Sequence, residues 1–159
     1  MNKLNKNRLH ELEIEASRKR SPNFPEYARV KTNYSDKTAN GLTKCILDWM
    51  KFSGHHAERI NTMGVPIDKR KIVTDVIGRQ RQIGSMTWRK GGGTKGSADV
   101  QGVIQGRIFY FEVKIGNDKQ SEAQIQFQKQ VESAGAKYFI VRNFDQFIEI
   151  YEQIISEIP

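Results

Sequence analysis

The stretch ADVQGVIQGRIFYFEVKIG, Ala98 to Gly116, decides how this chain is read. Two apolar runs flank Gln105-Gly106. Two-residue hairpin turns need positive φ, which glycine supplies without steric cost. A turn centred there pairs Ile104 with Arg107, and every further pair has residue numbers that sum to 211. Asp99 then stands opposite Glu112. Side chains alternate along a strand, so Lys114 shares the Glu112 face. Phe109, Phe111, Val113 and Ile115 share the other and form the core face. A one-residue slip of the turn would move Asp99 to that face instead.

The expected pairing is electrostatically costly. Directly opposed residues have Cβ atoms about 5 Å apart. Two carboxylates at that distance repel by ~3 kcal/mol at an effective dielectric near 20. Lys114 offsets part of this. A divalent cation between the carboxylates offsets more, and oxygen ligands suit Mg²⁺ or Mn²⁺. The plainer alternative is a surface Asp beside an ordinary Glu-Lys strand pair.

The flanking sequence supplies the rest of an α/β domain. NGLTKCILDWMKFSG reads as an amphipathic helix with Leu42, Cys45, Ile46, Trp49 and Met50 on one face. AERINT follows as a short strand that puts Arg59 on one face with Ala57 and Asn61. Arg59 reads as a phosphate contact or as a surface ion pair. After the hairpin, SEAQIQFQKQVESAG is a helix whose Ser121 and Gln124 have capping-box spacing and whose Gly135 sits past its end. AKYFIVR is a strand. NFDQFIEIYEQIISEI is a last helix with Phe147, Ile150, Tyr151 and Ile154 facing the core. The order predicts a central mixed β-sheet flanked by helices.

At this point the residues resemble a known family. GSADV followed by FEVKIG resembles the metal-binding signature of the PD-(D/E)xK nuclease superfamily: an acid, then, across one hairpin, acid-x-lysine. DKQSEAQIQFQKQVESAGAKYFIVRNFDQF resembles its VRR-NUC branch, and GHHAERINTMG resembles the helix-to-strand entry of small phage-type nucleases of that branch. The resemblance runs from about Asn40 to the C-terminus. It implies a restriction-endonuclease-like core in αβββαβ order with a C-terminal helix. It implies a Mg- or Mn-dependent endonuclease that hydrolyses DNA phosphodiesters, structure-specific in the manner of a Holliday-junction resolvase, in replication, recombination or repair. Asp99, Glu112 and the Val113 carbonyl would bind metal. Lys114 would position or activate water. Gln124 would contact water or phosphate, or serve as the capping partner of Ser121. The implied partners are DNA, branched DNA in particular, and a second copy of the chain, since a junction needs two symmetric cuts. One departure stands out. The acid often found on the first core helix is replaced by Asn40, and Asp36 and Asp48 fit that place poorly.

Composition agrees with this class. The chain has 159 residues, a formal net charge of +8 and a pI near 9.6. Such an excess points to a polyanionic partner. The expected domains are a basic N-terminal arm or extension, residues 1–36, and a nuclease domain, 37–159, with an insertion around 65–90. Leu4 to Arg20 reads as a helix with a sparse apolar stripe, Leu4, Leu12 and Ile14, ended by Pro22. Residues 65–90 read as a helix and turn or as an inserted hairpin. WRKGGGTKGSADV, residues 88–100, is a basic glycine-rich approach to Asp99, with Arg89, Lys90 and Lys95 as candidate backbone contacts. It fails as a P-loop because Lys95 precedes Gly96, where that motif needs Gly-Lys and then Ser or Thr. Cys45 is a core hydrophobe, and His10, His55 and His56 form no metal cluster. No segment resembles a signal peptide or a membrane span, so a cytoplasmic location is expected, that of a host cell for a phage protein. Two alternatives stay open: a non-catalytic nucleic-acid-binding module on the same fold, and a sequence-specific restriction or nicking nuclease.

Overall fold

The computed structural model describes residues 1–61, 64–89 and 91–157. In chain order the helices and strands are α1 (Lys3–Arg20), α2 (Ala39–Phe52), β1 (His56–Arg59), β2 (Val65–Asp68), β3 (Lys71–Thr74), β4 (Gln80–Ile83), β5 (Met86–Arg89), β6 (Val100–Ile104), β7 (Arg107–Val113), α3 (Glu122–Ser133), β8 (Lys137–Val141) and α4 (Phe144–Glu157). The chain divides into two compact units, Met1–Ile60 with Gly96–Pro159, and Asn61–Lys95.

The first unit is mixed α/β. Its sheet has the order β1-β6-β7-β8. β1, β6 and β7 pair antiparallel, and β8 joins β7 in parallel across α3. The hairpin forms in the expected register, from Ile104 opposite Arg107 to Val100 opposite Phe111. Gln105 and Gly106 have φ of 46° and 78°. Both values are positive, as a twist-matched two-residue turn requires.

Core packing follows the strand alternation. Phe109, Phe111 and Val113 are buried with Val100 and Ile104 against α2 and α4 residues that include Ile46, Trp49, Met50, Phe144 and Phe147. The Phe111 and Phe147 rings meet edge-on at 5.4 Å. On the other face Phe127 of α3 lies edge-on to Tyr110 at 5.4 Å. The sheet is therefore a layer between helices, as expected for α/β. Cys45 is buried among these apolar groups, and burial pushes its thiol up to about 12.

The N-terminal segment packs on the main core. Leu9 is fully buried in the main core, Met1 and Leu12 pack against it, and Arg8 stacks over Trp49 at 5.1 Å. The expected stripe was misplaced by part of a turn: Leu4 is exposed and Leu9 carries the burial. One leucine, buried in the core where α1 meets α2 and α4, anchors a helix whose own pattern is weak. Tertiary docking here outweighs amphipathicity. The following segment is irregular, apart from a short 3₁₀ turn at Glu26–Ala28.

In the second unit the helix-and-turn alternative is not formed. β2 pairs with β5, and β3 with β4, all antiparallel. The insertion is a hairpin.

Candidate active site

Asp99 lies at the end of the loop that enters β6. Its carbonyl accepts from the Ile60 amide at 2.9 Å, and its Oδ2 accepts from the Val113 amide at 2.9 Å. The alternation of the hairpin ladder would have aimed that Val113 amide at the Ala98 carbonyl. The Asp99 carboxylate takes that place, so the acid is tethered by backbone on both sides. The glycine-rich approach contributes through Gly96. This residue has φ +83°, and a Cβ there would lie 2.3 Å from the Ala123 carbonyl oxygen. Only glycine lets the loop pass this close to the first turn of α3.

Glu112 and Lys114 point to the α3 side of the sheet and are buried, with 2% and 6% exposure. Lys114 Nζ lies 3.2 Å from Glu112 Oε1 and 3.4 Å from Asp118 Oδ2, and donates to Gln124 Oε1 at 3.1 Å. Gln124 Nε2 donates to Glu112 Oε1. Gln124 Oε1 also accepts from the Ser121 amide at 2.8 Å, so it caps α3 and touches the buried pair at once. The capping role expected of Gln124 is formed, and the same side chain reaches Glu112 and Lys114. Its partners also fix the amide orientation. A flip would set the NH₂ against two donors and the oxygen against a carboxylate.

Tyr138 is a member the sequence reading missed. Its hydroxyl donates to Glu112 Oε2 at 3.2 Å. It sits on β8 opposite Tyr110, one side-chain repeat below Glu112 on the same face. Only the parallel register between β7 and β8 reveals this, and no local motif encodes it. Asp118, just beyond β7, was likewise not foreseen. Burial, and next the Glu112 carboxylate, push the Tyr138 hydroxyl well above its ordinary range, so it remains a donor.

Charge is imperfectly balanced. Burial foremost, then the neighbouring Asp99, holds the Glu112 carboxyl above its ordinary value, although Lys114 and Tyr138 pull the other way. The Val113 carbonyl adds a third oxygen. The Lys114 amide points at the Val141 carbonyl on β8, at 2.9 Å. A trans peptide sets C=O opposite the next N–H, so the Val113 carbonyl points away from β8, toward the edge where Asp99 lies. The Asp99 and Glu112 carboxylates with the Val113 carbonyl would offer a hard, all-oxygen donor set. That chemistry suits a small divalent cation, which would relieve the strain between Asp99 and Glu112. Among the described residues no three His, Cys, Asp or Glu side chains group as a metal cluster, so any ion here would rely on the carbonyl and on its own waters.

Other expected residues lie elsewhere. Arg59 pairs with Val100, whose side chain is on the core face, so Arg59 projects from the face opposite Glu112. Its guanidinium donates to Asn40 Oδ1 at 2.8 Å rather than to an acid. Asp36 accepts the Phe144 amide at 3.0 Å, and Asp48 accepts from Tyr34 and Lys44. Neither joins the site. His55 contacts the Tyr151 hydroxyl at 2.9 Å, and burial lowers its pKa. His56 is exposed on β1. Arg89 and Lys95 are exposed in the second unit, and Lys90 lies outside the described residues. Among the described residues no helix is long and apolar enough to cross a membrane.

No family model matches the chain, and no curated protein matches it.

Proposed function

We propose that the chain is a metal-dependent DNA endonuclease of the PD-(D/E)xK type, close to the VRR-NUC branch, on a restriction-endonuclease-like core. The observation that carries the reading is the convergence of Asp99, Glu112, Lys114 and Gln124 at one end of the β6–β7 hairpin. The order α2-β1-β6-β7-α3-β8-α4 supports the same reading. So does the excess of basic residues.

Mg²⁺ or Mn²⁺ held by Asp99, Glu112 and the Val113 carbonyl would supply Lewis-acid polarisation of the phosphodiester and a more acidic water. The protein's own groups do the rest. Two backbone amides, one donating to its carbonyl and one to its carboxylate, hold Asp99. Tyr138 and Gln124 hold the two oxygens of Glu112 in a fixed plane. Lys114 presents an ammonium beside these acids, where it positions a water or meets charge that builds on a phosphate oxygen. Burial keeps this charge set in a low-dielectric place, which strengthens each contact. A junction-cutting role implies a homodimer, as two strands must be cut symmetrically.

The test is cleavage of labelled four-way junction, flap, duplex and single-stranded DNA with Mg²⁺, with Mn²⁺ and with chelator. Metal-dependent cutting is expected, and Lys114→Ala and Asp99→Ala should each abolish it while DNA binding persists. Normal cutting by both variants would refute the site. No cutting of any substrate with either metal would favour a binding module. A unique sequence at every cut would favour a restriction or nicking enzyme.

A further inference from the structure

The basic excess is concentrated in one place. Residues 61–95 carry eight Lys or Arg and two Asp or Glu, a net +6 of the chain's +8. Both acids are engaged inside the segment. The Asp68 carboxylate binds the Arg70 guanidinium at 2.7 and 2.8 Å. Asp75 Oδ1 accepts the amides of Ile77 and Arg79 at 3.1 and 2.8 Å.

The two short ladders of this unit are one object. Paired residue numbers sum to 154 in both β2–β5 and β3–β4. Between them the Lys69 amide donates to the Ser85 carbonyl at 3.2 Å, which keeps the same sum. A single antiparallel ribbon therefore runs from Val65–Arg89 to Thr74–Gln80. At ~3.3 Å per residue it is about 30 Å long. Its tip is a closed turn. The Asp75 side chain clamps it, the Gly78 amide donates to the Asp75 carbonyl at 3.0 Å, and Gly78 takes φ +79°. This turn holds Val76 fully exposed and Ile77 71% exposed.

Such a ribbon is unusual in water. A lone two-stranded hairpin is marginal. No described residue of this unit is buried, and it bears eight of the fourteen exposed large apolar side chains among the described residues. The surface calls for a partner, and its charge selects one. A second copy of the ribbon would set +6 against +6. A polyanion is favoured instead. A two-stranded ribbon fits a DNA groove, and apolar side chains are used as wedges between base steps.

We propose that the Val65–Arg89 ribbon grips DNA, its arginines and lysines on the phosphates and Val76–Ile77 wedged into an unstacked base step. The inference takes its ligand class from the DNA-acting reading above but does not depend on catalysis. Unstacking costs a few kcal/mol in intact duplex and least where stacking is already broken. The ribbon therefore favours branched DNA over duplex.

The test is fluorescence anisotropy of the full chain, in chelator, with a labelled four-way junction and a duplex of the same sequence. Val76→Ser/Ile77→Ser should weaken junction binding about tenfold, some 1.4 kcal/mol, and leave duplex binding nearly unchanged. A 2-aminopurine at the branch point should brighten with the native protein and not with this variant. Arg79→Gln/Arg81→Gln should weaken both complexes and flatten the plot of log K against log salt by about 2. Junction binding and 2-aminopurine signal equal to native in the serine variant would overturn the wedge. A native protein that binds no DNA but forms a dimer which the serine variant dissociates would overturn the ribbon's role altogether. Chelator makes the assay blind to cleavage. A protein that cuts nothing but needs Val76 and Ile77 for junction binding keeps this inference and loses the nuclease reading. One that cuts DNA with a serine variant that binds as native loses only this inference.

Discussion

Replacing Lys114 with methionine probes the site through stability as well as activity. Lys114 Nζ lies 3.2 Å from Glu112 Oε1, and neither side chain is more than 7% exposed. At an effective dielectric near 20 the gross attraction at that distance is ~5 kcal/mol. Part of it is offset because an ammonium no longer has to be desolvated. Breaking buried pairs costs 3–5 kcal/mol, roughly, and the lower end applies here because Glu112 can escape by taking a proton. For a chain of this size ~3 kcal/mol is a fall in Tm of ~6–12 °C. The sign of its pH dependence follows from Glu112. Burial and Asp99 already raise its carboxyl above the ordinary 4.5, and Lys114 is one of the groups that restrain the rise. An acid raised in the folded state contributes stability below its unfolded pKa and loses it as pH rises through the folded pKa. Without Lys114 the folded pKa climbs further, so the deficit of the variant should grow from pH 5 to pH 8. Mg²⁺ should then stabilise Lys114→Met more than the native protein, because the site is left more negative. At a hundredfold excess over Kd the ion contributes ~2.7 kcal/mol, enough to restore most of the loss. Circular dichroism melts of both proteins across pH, with chelator and with Mg²⁺, measure each quantity. A Tm gap that is the same at pH 5 and pH 8 would refute the buried pair. A Mg²⁺ response no larger than native would refute metal binding beside it.

Asp99→Asn keeps an oxygen for the Val113 amide while removing the charge that pushes on Glu112, so Tm in chelator should hold or rise, and Mg²⁺-dependent cutting should fall by at least about a hundredfold. Unchanged cutting would remove Asp99 from the site. Mg²⁺ affinity by calorimetry should tighten as pH rises, with proton release, because Glu112 must be ionised to bind and its pKa is raised; a flat profile would deny Glu112 as a ligand. Leu9→Ala should destabilise the chain by ~2–5 kcal/mol, since Leu9 is fully buried in the main core. A loss within about 0.5 kcal/mol, as for surface sites, would mean that α1 is not docked in solution.

Legibility varied from residue to residue. The hairpin was readable because it is closed by two adjacent residues. Gln105-Gly106 sets the register from Ile104 opposite Arg107 to Val100 opposite Phe111, and strand alternation puts Lys114 on the Glu112 face. Gln124 was half-readable: its capping spacing is local, but its contact with Glu112 depends on how α3 lies over the sheet. Arg59 shows the limit of alternation within one strand. Its face relative to Ala57 was correct, yet the antiparallel pairing with β6 turns that face away from Glu112.

By itself the sequence determined what short-range physics governs: helix and strand periods, the two-residue turn, the α3 cap and the concentration of charge in residues 61–95. Those features depend on neighbours a few residues apart. The tertiary structure alone decided that Leu9 rather than Leu4 enters the core, that Tyr138 reaches Glu112 from β8, and that two ladders join into one ribbon. Each of these joins residues distant in sequence, where the free energy comes from packing and pairing across long loops and no local pattern records the partner.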